Sequence, residues 1–321
     1  MAAWAIGLGT PAGRSGVIAV RVCEACCGSN CGTTSVAREG PYTRCVVRIV
    51  TDSTADLTSA QQRSAGITVV PLNVHFGDQV FRDRVDLTGA EFFEKLKSSS
   101  QHPRTSQPSV GAFEEAFRAL RSDGHEVAAV LLSAKVSGTY NSALMAARSV
   151  DQDHIEVIDS ESASMALGFL ALEGAEKAKA GASLKEVAAH VRALVPKAKI
   201  LATMDSLTYL ERGGRIGKAR ALLGSLLNVK PLITVQDGEV VPLGRARSWP
   251  QALDRLVEML ERDSNLTRLA VLHGAADTDA QQLRARVAPR YPGLEIHLAE
   301  IGPVLGTYTG PGVVGFTYLI A

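Results

Sequence analysis

From residue 46 onward the chain alternates short, almost uninterrupted apolar runs with stretches of helical spacing, and that alternation restricts the folds open to it. "VVRIVTDS" (46–53), "GITVVPLNV" (66–74), "EVAAVLLS" (126–133) and "IEVIDS" (155–160) read as strands that lack a regularly polar face. Strands apolar on both sides need cover on both sides, which argues for a parallel sheet with helices on both faces. The intervening segments supply those helices. In "VGAFEEAFRALRSDG", for example, Phe113, Phe117 and Leu120 fall on one side at helical spacing. "QHPRTSQPS", just before it, reads as a loop flanked by prolines.

The pattern changes near residue 200. "PLITVQDGEVVPLG" (231–244) is a hairpin signal, because Asp237-Gly238 separates two apolar stretches. Strand-like "KILATM", "LTRLAVLHG" and "LEIHLAEIG" surround it, together with the helical "WPQALDRLVEMLERD". A hairpin among α/β elements argues for a mixed sheet. At 321 residues the chain fits two domains of ordinary size. The expectation is an α/β protein with an N-terminal parallel-sheet domain over 46–200 and a C-terminal mixed-sheet domain over 201–321. Residues 1–45 lack sustained periodicity and read as a disordered or mis-assigned extension.

Charge and cysteine usage narrow the function. Lys plus Arg total 34 against 33 Asp plus Glu, so the net charge of +1 gives no general pull toward nucleic acid or acidic lipid. No run approaches the roughly 20 apolar residues of a membrane helix, and the opening residues lack the basic start of a secretion signal. A cytoplasmic protein not integral to the membrane is expected. All five cysteines, Cys23, Cys26, Cys27, Cys31 and Cys45, lie in the extension. Its single Cys-x-x-Cys has no second pair and no nearby His to complete a zinc site. Neither a metal nor a cofactor is expected.

Polar residues gather where the apolar runs end. In open α/β sheets ligands bind outside the carboxyl ends of strands. Asp52-Ser53-Thr54, Ser133 to Asn141, Asp159-Ser160 and His273-Gly274 occupy such positions, and the "RTSQPS" segment adds Thr105, Ser106 and Gln107. Ser137-Gly138-Thr139 opens a helix, where exposed N–H groups and the helix dipole favour an anion; simple capping gives the same pattern. Asp52 either acts as a nucleophile or orients backbone amides, and Asp56 reads as a cap for the helix after it. Gly213-Gly214 allows a turn presenting Arg215. The glycines of "IGPVLGTYTGPGVVG" (301–315) suit either an anion nest or a packed loop. No P-loop, G-x-S-x-G elbow or G-x-G-x-x-G fingerprint stands in the context it requires.

In order along the chain, "VRIVTDSTADLT", "RTSQPS", "SAKVSGTYNSA", "EVIDSESASMALG", "YLERGGRIGKA", "NVKPLITVQDGEV" and "IGPVLGTYTGPGVVG" resemble the DegV family of bacterial fatty-acid-binding proteins. The resemblance runs from about residue 47 to the C-terminus. It implies two α/β domains, a long-chain fatty acid such as palmitate or oleate as ligand, and a carboxylate held by Thr105, Ser137 and the backbone of Gly138. It also implies a non-enzymatic role, in which the acyl group is presented to a separate ATP-dependent fatty acid kinase. Ser106, Thr139, Asn141, Arg215, Arg245, Arg247, His273 and Tyr308 are candidates for a secondary or partner-facing role. Tyr308 stands where the family commonly has His; a phenol donates a hydrogen bond but, unlike an imidazole, does not change charge near pH 7. "SMALGFLALEGA" (164–175) is a candidate lining for the acyl tunnel, although a core helix reads the same way. Two other readings remain: a stand-alone phosphoryl-transfer or hydrolytic enzyme using Asp52, and a module for a small polar anion.

Overall fold

The computed structural model describes residues 46–222 and 229–321. The N-terminal extension and its cysteines lie outside the described residues. In chain order the first half runs β1 (Val47–Asp52), α1 (Ser59–Ala65), β2 (Thr68–Val70), β3 (Asn73–Phe76), β4 (Gln79–Arg82), α2 (Gly89–Ser98), β5 (Arg104–Ser106) and α3 (Val110–Ser122). It continues with β6 (Glu126–Leu131), α4 (Thr139–Val150), β7 (Ile155–Asp159), α5 (Ser164–Lys179) and α6 (Leu184–Leu194). The second half comprises β8 (Ala198–Thr203), α7 (Thr208–Arg212), β9 (Lys230–Gln236), β10 (Glu239–Ala246), α8 (Trp249–Leu260) and β11 (Leu266–Gly274). It closes with α9 (Asp277–Val287), β12 (Ile296–Glu300), α10 (Pro303–Thr309) and β13 (Val313–Ile320).

The apolar runs of the first half form the expected parallel sheet, in the order β2-β1-β6-β7. Alternate residues of β1 serve its two faces. Val50 packs with Phe113 and Phe117 of α3 and Ala143 of α4, while Ile49 packs with the α5 and α6 side. Local chemistry fixes the helix starts: Thr58 with Gln61, Thr88 with Glu91 and Ser183 with Glu186 close capping boxes.

Two readings of this half are corrected. "GITVVPLNV" is not one strand. Pro71 has no N–H to continue a ladder, so β2 stops at Val70 and the chain turns away into β3. There β3 pairs antiparallel with β4 and β5 in a small third sheet, which makes the "RTSQPS" loop partly a strand, with Thr105 opposite Val74.

The second half forms a six-stranded mixed sheet, β10-β9-β8-β13-β11-β12, in which β11–β12 is the parallel pair. Asp237 and Gly238 turn the β9–β10 hairpin with φ values of 49° and 77°, the left-handed pair that a two-residue hairpin turn demands. Helix α5 joins the two larger sheets. It is buried nearly all round and packs on β1 on one side and on β8 and β13 on the other.

Candidate ligand-binding site

A cavity of about 1010 Å³, its open mouth included, is walled by residues from both halves of the chain. Strand alternation explains its apolar lining. Ile200 and Ala202 of β8 face it, whereas Leu201 between them packs with Ala252 and Leu256 of α8. Ile233 of β9, Val240 of β10 and Val304 of α10 continue the wall, and Leu72 and Leu132 close it from the first half. Of the 164–175 segment only Ser164 lines the cavity. The apolar residues of the rest of that segment are core, because α5 packs between two sheets.

Polar groups concentrate at the mouth. In β5 the pleat sends neighbouring residues to opposite sides: Thr105 faces the cavity, and Ser106 turns away to share a 3.0 Å hydrogen bond with His75. The Thr105 hydroxyl meets that of Tyr308 on α10. Ser137 lines the mouth just before α4, its hydroxyl 2.8 Å from that of Thr139 and accepting from the Thr139 N–H at 3.3 Å. Gly138 is the N-cap residue of α4 and provides no side-chain cap. Among the described residues its own N–H makes no backbone hydrogen bond to a neighbouring carbonyl. A Cβ at Gly138 would sit 2.7 Å from the Gln107 amide nitrogen, so the glycine also makes room for Gln107 at the rim.

Two further links close the mouth across the chain halves. Arg215 donates through Nε to the Val136 carbonyl at 3.2 Å and through Nη1 to the Gly213 carbonyl at 2.7 Å, and its guanidinium lies 5.1 Å from the centre of the Tyr308 ring. Ser133 donates to the Gly238 carbonyl at 2.8 Å, fastening the tip of the β9–β10 hairpin to the end of β6. Outside the mouth lies a second, polar cleft sharing Thr105, Arg215 and Tyr308. Arg104, Arg212 and Arg215 make it cationic, with Asp78 as its acid. Partial burial, reinforced by the Arg212 charge, holds His102 below its ordinary value and keeps it neutral.

The other candidates lie elsewhere. Thr139 is buried and bonded to Ser137, and Asn141 points out from α4. Arg245 and Arg247, at and beyond the end of β10, line neither the cavity nor the outer cleft. His273 is buried near the end of β11, its Nε2 3.9 Å from Asp277, and does not line the cavity. Asp52 is fully buried and accepts from the Thr54 N–H at 3.0 Å and the Leu132 N–H at 2.8 Å. It ties the ends of β1 and β6 together and faces neither mouth nor cavity; burial pushes its carboxyl up. Asp56 does not cap α1, since Thr58 does. It accepts instead from Arg84 at 2.7 Å, Ser164 at 2.7 Å and the Gly302 N–H at 3.0 Å. Of the glycines of 301–315, Gly306 lies in α10 and Gly315 in β13, Gly302 and Gly310 flank α10 as its caps, and Gly312 joins it to β13. Among the described residues no cluster of three His, Cys, Asp or Glu could hold a metal, and no helix is long and apolar enough to cross a membrane.

Comparison with known proteins agrees with this architecture. The DegV family model, described as an uncharacterised protein family, matches residues 46–321. A DegV domain-containing protein of Halalkalibacterium halodurans is 34% identical over 278 residues, covering 85% of this chain and 98% of the relative. Protein DegV of Bacillus subtilis is 32% identical over 276 residues, with the same coverage of 85% and 98%. Among solved structures, a DegV family protein from Thermus thermophilus described by its fatty acid binding superposes with a TM-score of 0.81 at 33% identity, over 86% of this chain and 100% of its own. Bacillus subtilis DegV, described as a fatty acid binding protein, gives a TM-score of 0.80 at 31% identity, over 86% and 100%. By sequence and by fold, the chain belongs to the DegV family.

Proposed function

We propose that the chain carries a long-chain fatty acid, such as palmitate or oleate, with its carboxylate at Thr105, Ser137 and the Gly138 N–H and its tail in the apolar cavity. The observation that carries this reading is the polarity gradient. The hydroxyls of Thr105, Ser137 and Tyr308 cluster at the mouth, and aliphatic side chains from both halves wall the space behind them. A carboxylate needs only a few donors. The tail supplies the affinity: at about 0.8 kcal/mol per buried methylene, fifteen methylenes transfer roughly 12 kcal/mol before entropic costs. The fatty-acid-binding structures of 33% and 31% identity support the same ligand class.

The finer part of the proposal is presentation of the bound acid to a separate ATP-dependent fatty acid kinase. It is supported by the family resemblance and by the cationic cleft beside Thr105 and Tyr308, which suits a transferring phosphoryl group. The chain then serves as a substrate-presenting subunit with no catalysis of its own. A stand-alone enzyme using Asp52 is disfavoured, since that carboxylate is enclosed by backbone donors.

Mass spectrometry of the protein purified from a bacterial host, native and then solvent-extracted, tests the carrier role. A stoichiometric long-chain fatty acid released on extraction is the expected result. An empty protein that also fails to take up palmitate or oleate would overturn the reading.

A further inference from the structure

Behind the cavity wall lies a buried ionic cluster whose charged members, Asp56, Asp83 and Arg84, do not line the cavity. Asp83 and Arg84 follow β4, and both approach Gly302 at the start of α10: a Cβ there would lie 2.7 Å from Arg84 Nε and 3.1 Å from Asp83 Oδ1. Ser53 donates to Asp83 Oδ2 at 2.7 Å and accepts from the Leu72 N–H at 3.1 Å. Asp56 holds Arg84, Ser164 and Gly302, as described above. Three separate stretches of the wall are therefore fastened to one cluster: Leu72, Ser164 and the segment Ile301–Val304. That last segment leads directly into the helix carrying Tyr308.

The cluster is not at ease. Asp83 is 1% exposed, and its Oδ1 and the Arg84 Nε are buried without hydrogen-bond partners. A buried polar atom left unpaired is costly and calls for an explanation. Its charges also fail to balance. Asp56 and Asp83 share one cation, Arg84, which is partly drawn to the Glu300 carbonyl, and Asp52 adds a further buried carboxyl nearby. On its outer side a cleft lined by Asp52, Ser53, Asp83, Arg84 and Glu300 offers water a route to Asp83.

We propose that Asp83 is a positioning residue for the cavity wall, and that opening of the wall to release an acyl ligand is coupled to loss of the Asp83 proton. The proposal rests on the fatty-acid reading of the cavity. In the closed wall, burial pushes the Asp83 carboxyl up to about 7, against the opposing pull of Ser53 and Arg84, with Asp56 adding to the rise. Any movement of Leu72 or α10 that wets Asp83 restores its affinity for water and lowers its affinity for the proton. By linkage, opening becomes easier as pH rises through neutrality. Lower pH holds the wall shut.

The test is stopped-flow release of cis-parinaric acid, a fluorescent fatty acid, from the full chain between pH 6 and pH 8.5. Release is expected to rise at least about threefold over that range. Asp83→Asn, a neutral mimic of the protonated form, should flatten the profile at the slow, low-pH rate. Ser53→Ala removes a hydrogen bond that favours the ionised form, so its step should move to higher pH. A wild-type profile without a step, or a step that survives in Asp83→Asn, would overturn the proposal. Failure of the wild type to bind any fatty acid would instead sink the carrier reading.

Discussion

The hydroxyls of Thr105 and Tyr308 meet across 203 residues of sequence, joining a short edge strand to the last helix at the mouth of an apolar cavity. Each satisfies the other. On the proposed reading, a carboxylate bound at Thr105 would exchange that neutral contact for a stronger, charge-assisted hydrogen bond.

Removing either mouth hydroxyl should weaken acyl binding without unfolding the protein. Thr105→Ala and Ser137→Ala each delete one donor to an anion, of order 1.5–3 kcal/mol, or roughly 10- to 150-fold in affinity. Displacement of a fluorescent fatty acid measures the loss, and an unchanged melting temperature shows that the fold survives. Unaltered affinity in both variants refutes the head-group site.

The residue at position 308 should set the pH response of the mouth. Tyr308→His should introduce tighter binding below about pH 6.5, where an imidazolium attracts the carboxylate. Titration of affinity against pH in both proteins decides it; identical profiles count against a head-group role for this position.

Filling the wall should shorten the preferred ligand. Ala202 on β8 faces the cavity with only a methyl group. Ala202→Phe should lower affinity for stearate more than for a ten-carbon acid, by about tenfold or more, since several methylenes lose their place. Equal losses for both chain lengths would mean that the tail does not run past β8.

Asp83 should also mark the protein's stability curve. Its carboxyl is raised in the folded state, so folding favours the proton most below the ordinary carboxylate value, and that contribution fades as pH climbs to about 7. Asp83→Asn should therefore gain stability relative to wild type between pH 5 and pH 8, by up to about 3 kcal/mol. Thermal melting of both proteins across that range measures it.

What the sequence disclosed and what it withheld follow from physics at particular residues. The parallel sheet was legible because strands covered on both faces leave long apolar runs such as Val127 to Leu132. Thr105, Ser137 and Gly138 were legible as polar, small or turn-prone residues at strand and helix ends; Thr105 and Ser137 line the mouth, and Gly138 adjoins it beside Gln107. The cavity itself was not. Ile200 and Ala202 face empty space while Leu201 faces packed core, yet all three are apolar strand residues. The 164–175 segment of α5 stayed ambiguous for the same reason, because a largely apolar helix suits either a tunnel or a core. The Asp83–Arg84 cluster gave no signal, since its members are ordinary charges scattered between residues 52 and 302.

The position of β13 bears on how the protein is made. The last strand in chain order lies inside the six-stranded sheet, between β8 and β11, and begins at the cavity-lining Val313. Until that strand has left the ribosome, β10-β9-β8 and β11-β12 are two fragments with exposed edges and no common wall. The cavity wall is thus closed only once β13 has been made, so the pocket cannot form around its lining from the earlier strands alone.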